Sequence, residues 1–103
     1  MSYPVYSVRV AQGHAGSSMS YVVPAGYRFV LRFATAFNGS ALLAEDFDIV
    51  EHASLITVWQ VLVPPSNSEF FDGRVVFDEG TQVDFNASAD IDFTASGYLL
   101  TLP

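Results

Sequence analysis

The chain has no cysteine and no lysine, and only 15% of its residues carry charge. Without cysteine there is no disulfide framework, no thiolate metal site and no thiol nucleophile. Packing and backbone pairing alone must hold the fold. Soluble domains usually devote about 25% of their residues to charge, so this surface is poor in it. Its only full cations are Arg9, Arg28, Arg32 and Arg74, set against eleven carboxylates for a net charge of −7. Gripping a phosphate backbone takes several cations on one face. Four scattered arginines exclude nucleic acid and an anionic membrane surface as expected partners. No apolar run approaches the roughly 20 residues of a membrane-spanning helix. The opening Met-Ser-Tyr-Pro-Val-Tyr lacks the basic-then-apolar pattern of a secretory leader, so the expectation is a chain soluble in the cytoplasm when made.

What the chain does have is oil. Half of its 103 residues are hydrophobic. That length fits one domain spanning 1–103 with one core, and so small a domain buries only about 60–70% of its unfolded surface. The chain therefore carries more apolar side chain than one such core needs, and burial against other copies or another protein would absorb the surplus. No linker, second domain or internal repeat interrupts it.

Helical periodicity is nearly absent and period-two alternation is frequent. Strands are expected at 5–11, with Tyr6, Val8 and Val10 facing one way and Ser7 and Arg9 the other, and at 19–23. Gln12 to Ser18 reads as a loop. Pro24-Ala25-Gly26 makes a turn, with proline at the first central position and glycine last. Tyr27 to Asn38 is the clearest strand. Strict alternation gives Tyr27, Phe29, Leu31, Phe33, Thr35 and Phe37 as the core stripe, and Arg28, Val30, Arg32, Ala34, Ala36 and Asn38 as a contact face. Asn38-Gly39 suits a tight hairpin. Residues 41–46 could form a helical turn, and Phe47, Ile49 and Glu51 continue as a strand. Leu55 to Val63 is apolar on both faces except at Thr57 and Gln60, which fits a central strand or one with a partner on its second side. Pro64 to Ser68 is a loop. Strands at 70–78, 81–87 and 90–102 follow, punctuated by Asp72-Gly73, Glu79-Gly80 and Ser88-Ala89. Frequent turns without helices predict an all-β chain folded as a single antiparallel β-sandwich or jelly roll.

Chemistry-bearing clusters are few. Glu45, Asp46, Asp48 and Glu51 crowd together, Asp78, Glu79 and Asp84 form a second group, and Asp90 and Asp92 would share a strand face. They lack the regular spacing of a calcium loop and read as a solvated acidic rim. A glycosidase pair of carboxylates would need a cleft that so small a domain rarely makes. His14 and His52 show no zinc-ligand pattern. His14 lies among serines, but no Gly-x-Ser-x-Gly elbow accompanies it. The expectation is no enzyme, no metal and no cofactor. Trp59, Tyr27 and Tyr98 could line a sugar platform, although aromatics at strand spacing more often fill cores and interfaces. The sequons Asn38-Gly39-Ser40 and Asn86-Ala87-Ser88 matter only in a secreted eukaryotic protein.

Four segments together resemble small virion proteins of tailed bacteriophages: Val23-Pro24-Ala25-Gly26, the strand Tyr27–Phe37 ending in Asn38-Gly39, the stretch around Trp59, and Gly80-Thr81-Gln82-Val83 with Gly97-Tyr98-Leu99-Leu100. The resemblance covers most of the chain and implies a non-enzymatic β-sandwich on the head surface, neck or tail of a virion. It departs after Trp59, where Pro64–Phe71 is longer and more acidic, which leaves the position in the virion open. The expected function is a capsid decoration (cement) protein, a homotrimer bound to the major capsid protein at capsomer junctions. Arg28, Val30, Arg32, Ala34, Trp59 and Arg74 are the expected interface, the arginines fixing orientation through carboxylates. A tail, neck or fibre component is the alternative, and a carbohydrate-binding adhesion module a further one.

Overall fold

A computed structural model describes the backbone of residues 4–103 and the side chains from Val10 onward. Met1 to Tyr3, and the facing expected of Tyr6, Ser7, Val8 and Arg9, lie outside it. Eight strands follow in chain order: β1 (Pro4–Gly13), β2 (Met19–Val22), β3 (Tyr27–Asn38), β4 (Glu45–Glu51), β5 (Thr57–Val63), β6 (Ser68–Phe77), β7 (Gln82–Ala87) and β8 (Ile91–Thr101). They form two four-stranded sheets, β1-β8-β3-β6 (sheet 1) and β2-β7-β4-β5 (sheet 2). Every pairing is antiparallel. The pairs β1–β8, β2–β7, β3–β6 and β4–β5 nest inside one another, so the chain is one long hairpin with its tip at β4–β5, rolled up until β8 meets β3 and β7 meets β4. This is the jelly roll expected from the spacing of strands and turns.

The roll explains where local expectations missed. Asn38-Gly39 does not close a hairpin, because β3 and β4 lie in different sheets. Asn38 is instead fully buried. Its amide nitrogen donates to the carbonyls of Leu43 and Val63 at 2.7 and 3.0 Å, and its Oδ1 accepts from the Ser40 amide at 2.8 Å. Those bonds, with the Ser40 hydroxyl accepting from the Leu42 and Leu43 amides, hold 41–44 as an irregular loop that bends at Ala41 and Leu42, and the possible helical turn is absent. Pro24-Ala25-Gly26 does turn the chain, one residue later than expected. The Tyr27 amide bonds the Pro24 carbonyl at 3.2 Å, and Gly26 occupies φ +86°, the left-handed third position of a type II turn. Asp72-Gly73 falls inside β6, at an irregularity in its pairing with β3, and ends no strand.

Two larger corrections concern faces. β5 is an edge strand of sheet 2, not a central one. Val63 is buried, and Trp59 and Val61 pack against the core. Leu62 points outward and is 60% exposed, and Leu55 and Ile56 stand exposed in the preceding turn. In β3 the alternation breaks. Leu31 pairs with Gly97 and Phe33 with Ser96, so Arg32 is an extra residue, a β-bulge against β8, while on the other side β6 carries the extra residue, with Gly73 and Arg74 opposite Arg32. A one-residue insertion swaps the faces of everything beyond it. Phe29 and Leu31 point inward as expected, but past Arg32 it is Ala34, Ala36 and Asn38 that are buried, while Phe33 and Phe37 are exposed.

The core is aromatic at its centre. The ring of Phe93 lies 4.8 Å from that of Phe47 and 6.0 Å from that of Phe85, joining the two sheets. Tyr21 and Phe77 flank Phe29 at 5.4 and 6.3 Å. Ala34, Ala36 and Ala95 belong to the same cluster, and small side chains there leave room for these rings.

The bulge demands a glycine beside it. A Cβ at Gly97 would sit 1.9 Å from the Val30 carbonyl oxygen, a clash with rigid backbone. Gly97→Ala should therefore cost stability in the manner of an overpacked core, about 1–3 kcal/mol or more, read from urea unfolding. A neutral substitution would show that the strands need not approach so closely.

Candidate functional site

The bulge builds a surface. β3 is an interior strand of sheet 1, so its exposed side chains can only lie on the sheet's outer face. Phe33 is 40% exposed and Phe37 42%. Thr35 pairs with Phe70 of β6 on one side and Thr94 of β8 on the other. Residues opposite one another in an antiparallel pair share a face, which places Phe70 outward at 65% exposure. The Phe33 and Phe70 rings stack with centroids 6.1 Å apart. Val76, half exposed, lies farther along β6 beyond Asp72 and Arg74. Below the strip's upper end, the hydroxyls of Thr35 and Thr94 bond each other at 2.9 Å.

Arg32 and Arg74 are exposed at the irregular stretch where β3 and β6 lose register. Among the described residues neither forms an ion pair. Arg28 does, its Nε 2.9 Å from Asp78 Oδ1. Asp72, opposite Phe33, is the carboxylate nearest in register to the two free guanidinium groups.

At the loop end of this face lies an open depression of about 490 Å³, lined by Gln12, His14, Thr35, Phe37, Asp92 and Thr94 among others. His14 Nδ1 is 2.7 Å from Asp92 Oδ1, which also accepts from the Ala15 amide at 2.8 Å. Ser17 donates to the backbone carbonyl of His14 at 3.0 Å, not to its ring, so the serine, histidine and aspartate do not form a nucleophilic relay. Asp90 sits in the turn before β8 and does not share a strand face with Asp92. Among the described residues, no three His, Asp or Glu side chains converge as a metal-binding group.

The outer face of sheet 2 is different. Asp84 is its hub. It accepts from Gln82 Nε2 at 2.9 Å and Ser20 Oγ at 2.7 Å, and its second oxygen lies 2.7 Å from His52 Nδ1. The Gln82 hydrogen bond first, then those of Ser20 and His52, hold the Asp84 carboxyl down to about 2. Asp48 accepts from Asn86 at 2.8 Å. Asp46 is exposed and pairs across the ladder with exposed Leu62.

The residues singled out in the sequence separate accordingly. Arg28, Arg32 and Arg74 are exposed on sheet 1. Ala34 is a core residue, because the bulge turned it inward, and Val30 is fully buried between Val76 and Tyr98 in register. Neither presents contact area in this conformation. Trp59 is half-buried between Phe47 and Phe71, with ring centroids at 5.8 and 5.9 Å. Phe33, Phe37, Phe70 and Leu62 were missed as surface residues. One signal was available: in the pair Phe70-Phe71, two adjacent strand residues cannot both face the core.

The sequence matches no protein-family model, and no curated protein matches it. Likeness is found among solved structures. The core of Drosophila NLP, described for its pentamer formation and histone binding, superposes with a TM-score of 0.55 at 11% identity, covering 91% of this chain and 95% of that one. The C-terminal CBM6 of LamC, a laminarinase from Zobellia galactanivorans, gives a TM-score of 0.46 at 18% identity, covering 96% and 93%. The extra small virus particle of the giant freshwater prawn Macrobrachium rosenbergii gives 0.34 at 10%, covering 97% and 77%. At these identities the likeness is one of fold alone.

The Asp84 network makes a prediction. A carboxyl depressed in the folded state stabilises it fully above its ordinary value of 3.8, and that contribution disappears as pH falls toward about 2. Asp84→Asn should be less stable than the parent at neutral pH, and the gap should shrink below about pH 4. Denaturant melts across that range measure it, and parallel curves throughout would contradict the assignment.

Proposed function

We propose that this chain is a structural subunit of a virion, a capsid decoration protein of the tailed-phage kind. It self-associates, in the expected form as a homotrimer, and adds its buried area to joints of the major capsid protein. It is soluble in the host cytoplasm before assembly and carries out no reaction. The observation that carries this reading is the apolar strip Phe33, Phe37 and Phe70 on the outer face of a sheet whose other face is already a closed core. Contiguous exposed apolar strips on soluble domains mark interaction sites. The jelly-roll fold and the resemblance of four sequence segments to phage virion proteins support the same reading.

Magnitudes bear on the mechanism. Fully burying a phenylalanine contributes about 1.5–3 kcal/mol, and because Phe33, Phe37 and Phe70 are 40%, 42% and 65% exposed, covering them contributes on the order of 3 kcal/mol. Association costs an estimated 4–15 kcal/mol in lost motional freedom. One such strip against a flat partner is marginal. Repetition over an oligomer, and then over a lattice of identical capsid sites, multiplies the gain through effective concentration. A small domain with a modest sticky face therefore suits a shell and does not suit a solitary protein.

Sedimentation velocity at micromolar concentration tests the self-association. An oligomer that dissociates on combining Phe33→Ser with Phe70→Ser supports the reading, and a monomeric parent overturns it. Antibody labelling of phage particles encoding the chain tests the location. Dense symmetric labelling of the head supports decoration, sparse labelling of the tail or neck replaces it with the alternative placement, and unlabelled particles remove the virion role.

A further inference from the structure

Each sheet ends in two edge strands, β1 and β6 in sheet 1, β2 and β5 in sheet 2. An edge leaves a row of N–H and C=O groups open to another strand, and natural sheets guard such rows with charge, proline, bulges or shortness. β1 opens with Pro4, carries Arg9 and pairs irregularly at two places. β2 has four residues. β6 carries Glu69, Asp72 and Arg74 and is irregular at its middle. β5 is different. It is irregular only at its start, between Thr57 and Trp59, and no Asp, Glu, Lys or Arg occurs from residue 53 to residue 68. The direction of its backbone groups follows from β4. The Ser88 amide donates to the Asp46 carbonyl and the His52 amide to the Gln82 carbonyl, both at 3.0 Å. Backbone groups alternate sides along a strand, so Asp46, Asp48 and Val50 turn theirs to β7, and Phe47, Ile49 and Glu51 turn theirs to β5. The Glu51 amide accordingly donates to the Ile56 carbonyl at 2.9 Å. Phe47 and Ile49 lie opposite Val61 and Trp59. Gln60 and Leu62 therefore point N–H and C=O away from β4, into the open edge.

We infer that this edge pairs antiparallel with β5 of a second copy, about a two-fold axis through Gln60. The contact is separate from the sheet 1 strip and goes beyond the reading given to it. A two-fold axis makes one edge its own antiparallel partner. With Gln60 opposite Gln60, both residues aim their backbone groups at the joint and exchange two hydrogen bonds. Opposite residues share a face, so Trp59 meets Val61 of the other copy on the inner face. Both are only half-buried at this margin of the core, and the added strand covers what remains open. Other registers fit worse. A shift of one residue opposes outward Gln60 to inward Val61. A shift of two in one direction opposes Val58 to Pro64, which has no N–H. A shift of two in the other opposes Leu62 to Ile56, whose carbonyl already bonds Glu51. Charge permits the joint as well. Nothing charged lies within it, and Asp46 and Asp48 fall three strand spacings from their counterparts, about 14 Å, beyond the screening length of about 8–10 Å. Two sandwiches then share one continuous sheet, β2-β7-β4-β5 running into β5-β4-β7-β2.

Leu62→Pro tests the joint selectively. The Leu62 N–H points to the open edge, so proline removes a bond between copies and none to β4. The variant should keep the parent's circular dichroism. In sedimentation equilibrium its dissociation constant should rise about tenfold or more, since each joint loses two hydrogen bonds. Unchanged association overturns the inference and leaves the sheet 1 strip standing. Association lost in Leu62→Pro but kept when Phe33→Ser is combined with Phe70→Ser upholds the edge and removes the strip. Should proline disturb the fold, Gln60→Lys replaces it. Two ammonium groups then face each other at the axis, and association must weaken likewise. The chain has no cysteine of its own, so Gln60→Cys reads the geometry directly. Opposite residues of this kind have Cα atoms about 5.5 Å apart, within disulfide reach, whereas the two copies of Thr57 would lie about 20 Å apart. Mild oxidation should link Gln60→Cys into dimers and leave Thr57→Cys unlinked. Equal linking of both, or of neither, overturns the inference. So does a Gln60→Cys chain that, in phage particles, links to another protein and not to itself, which would assign the edge to a foreign strand.

Discussion

The structure turns on one inserted residue. β3 runs through the middle of sheet 1, and at Arg32 it takes a step that β8 does not. Before that step the large apolar residues Phe29 and Leu31 face the core. After it the inward positions hold Ala34, Ala36 and Asn38, and the large residues face solvent. The core accepts the small residues because Phe47, Phe85 and Phe93 occupy the space between the sheets. The same step sets Phe33 against Phe70 on the outside. Gly97 makes the step possible, since no side chain fits beneath the Val30 carbonyl. A packing constraint and the candidate contact surface thus have one origin.

The rolled hairpin distributes the rest. Its connections run between sheets at both ends of the sandwich, and buried or charged side chains fasten them. At one end the Asn38 carboxamide ties the loop after β3 to the end of β5 through the backbone carbonyls of Leu43 and Val63. At the other, the turns at Pro24–Tyr27 and Asp78–Thr81 hold each other: the Gly26 amide donates to Glu79 Oε2 at 2.6 Å and the Gly80 amide to the Val23 carbonyl at 2.9 Å. With no disulfide available, these fastenings and the aromatic core do that work. The loops are thereby kept short and the outer sheet faces left uncovered, one with phenylalanines among arginines and carboxylates, the other polar and acidic.

Much of this was legible in the residues. Composition, period-two alternation and glycine- and proline-marked turns suffice for an antiparallel sandwich or jelly roll, because strand formation and turning are local decisions. The excess of apolar residues over what one small core can hide is likewise arithmetic, and it appears as Leu62, Phe33, Phe37 and Phe70 on the surface. The identity of the exposed residues was not legible. Period-two alternation propagates from a starting residue, and a single bulge reverses it downstream. Whether a bulge occurs depends on what a neighbouring strand, distant in sequence, can accommodate. The clash that selects Gly97 lies between residues 67 positions apart in the chain, and pattern along one strand carries no trace of it.

The same division holds for the turns. Local chemistry placed a break at Pro24-Ala25-Gly26 and at Asn38-Gly39, and both breaks exist. Which strand comes next to which is set by long-range pairing, and so Asn38 became a buried clasp where a hairpin was the local preference. The chain's own order of residues settled its class of secondary structure, its lack of cross-links and its surfeit of oily side chains, all properties of single residues and near neighbours. Edge and centre, inside and outside, and the juxtaposition of cation, carboxylate and ring came from folding alone, because each is a relation between segments that meet only once two sheets have closed on a shared interior.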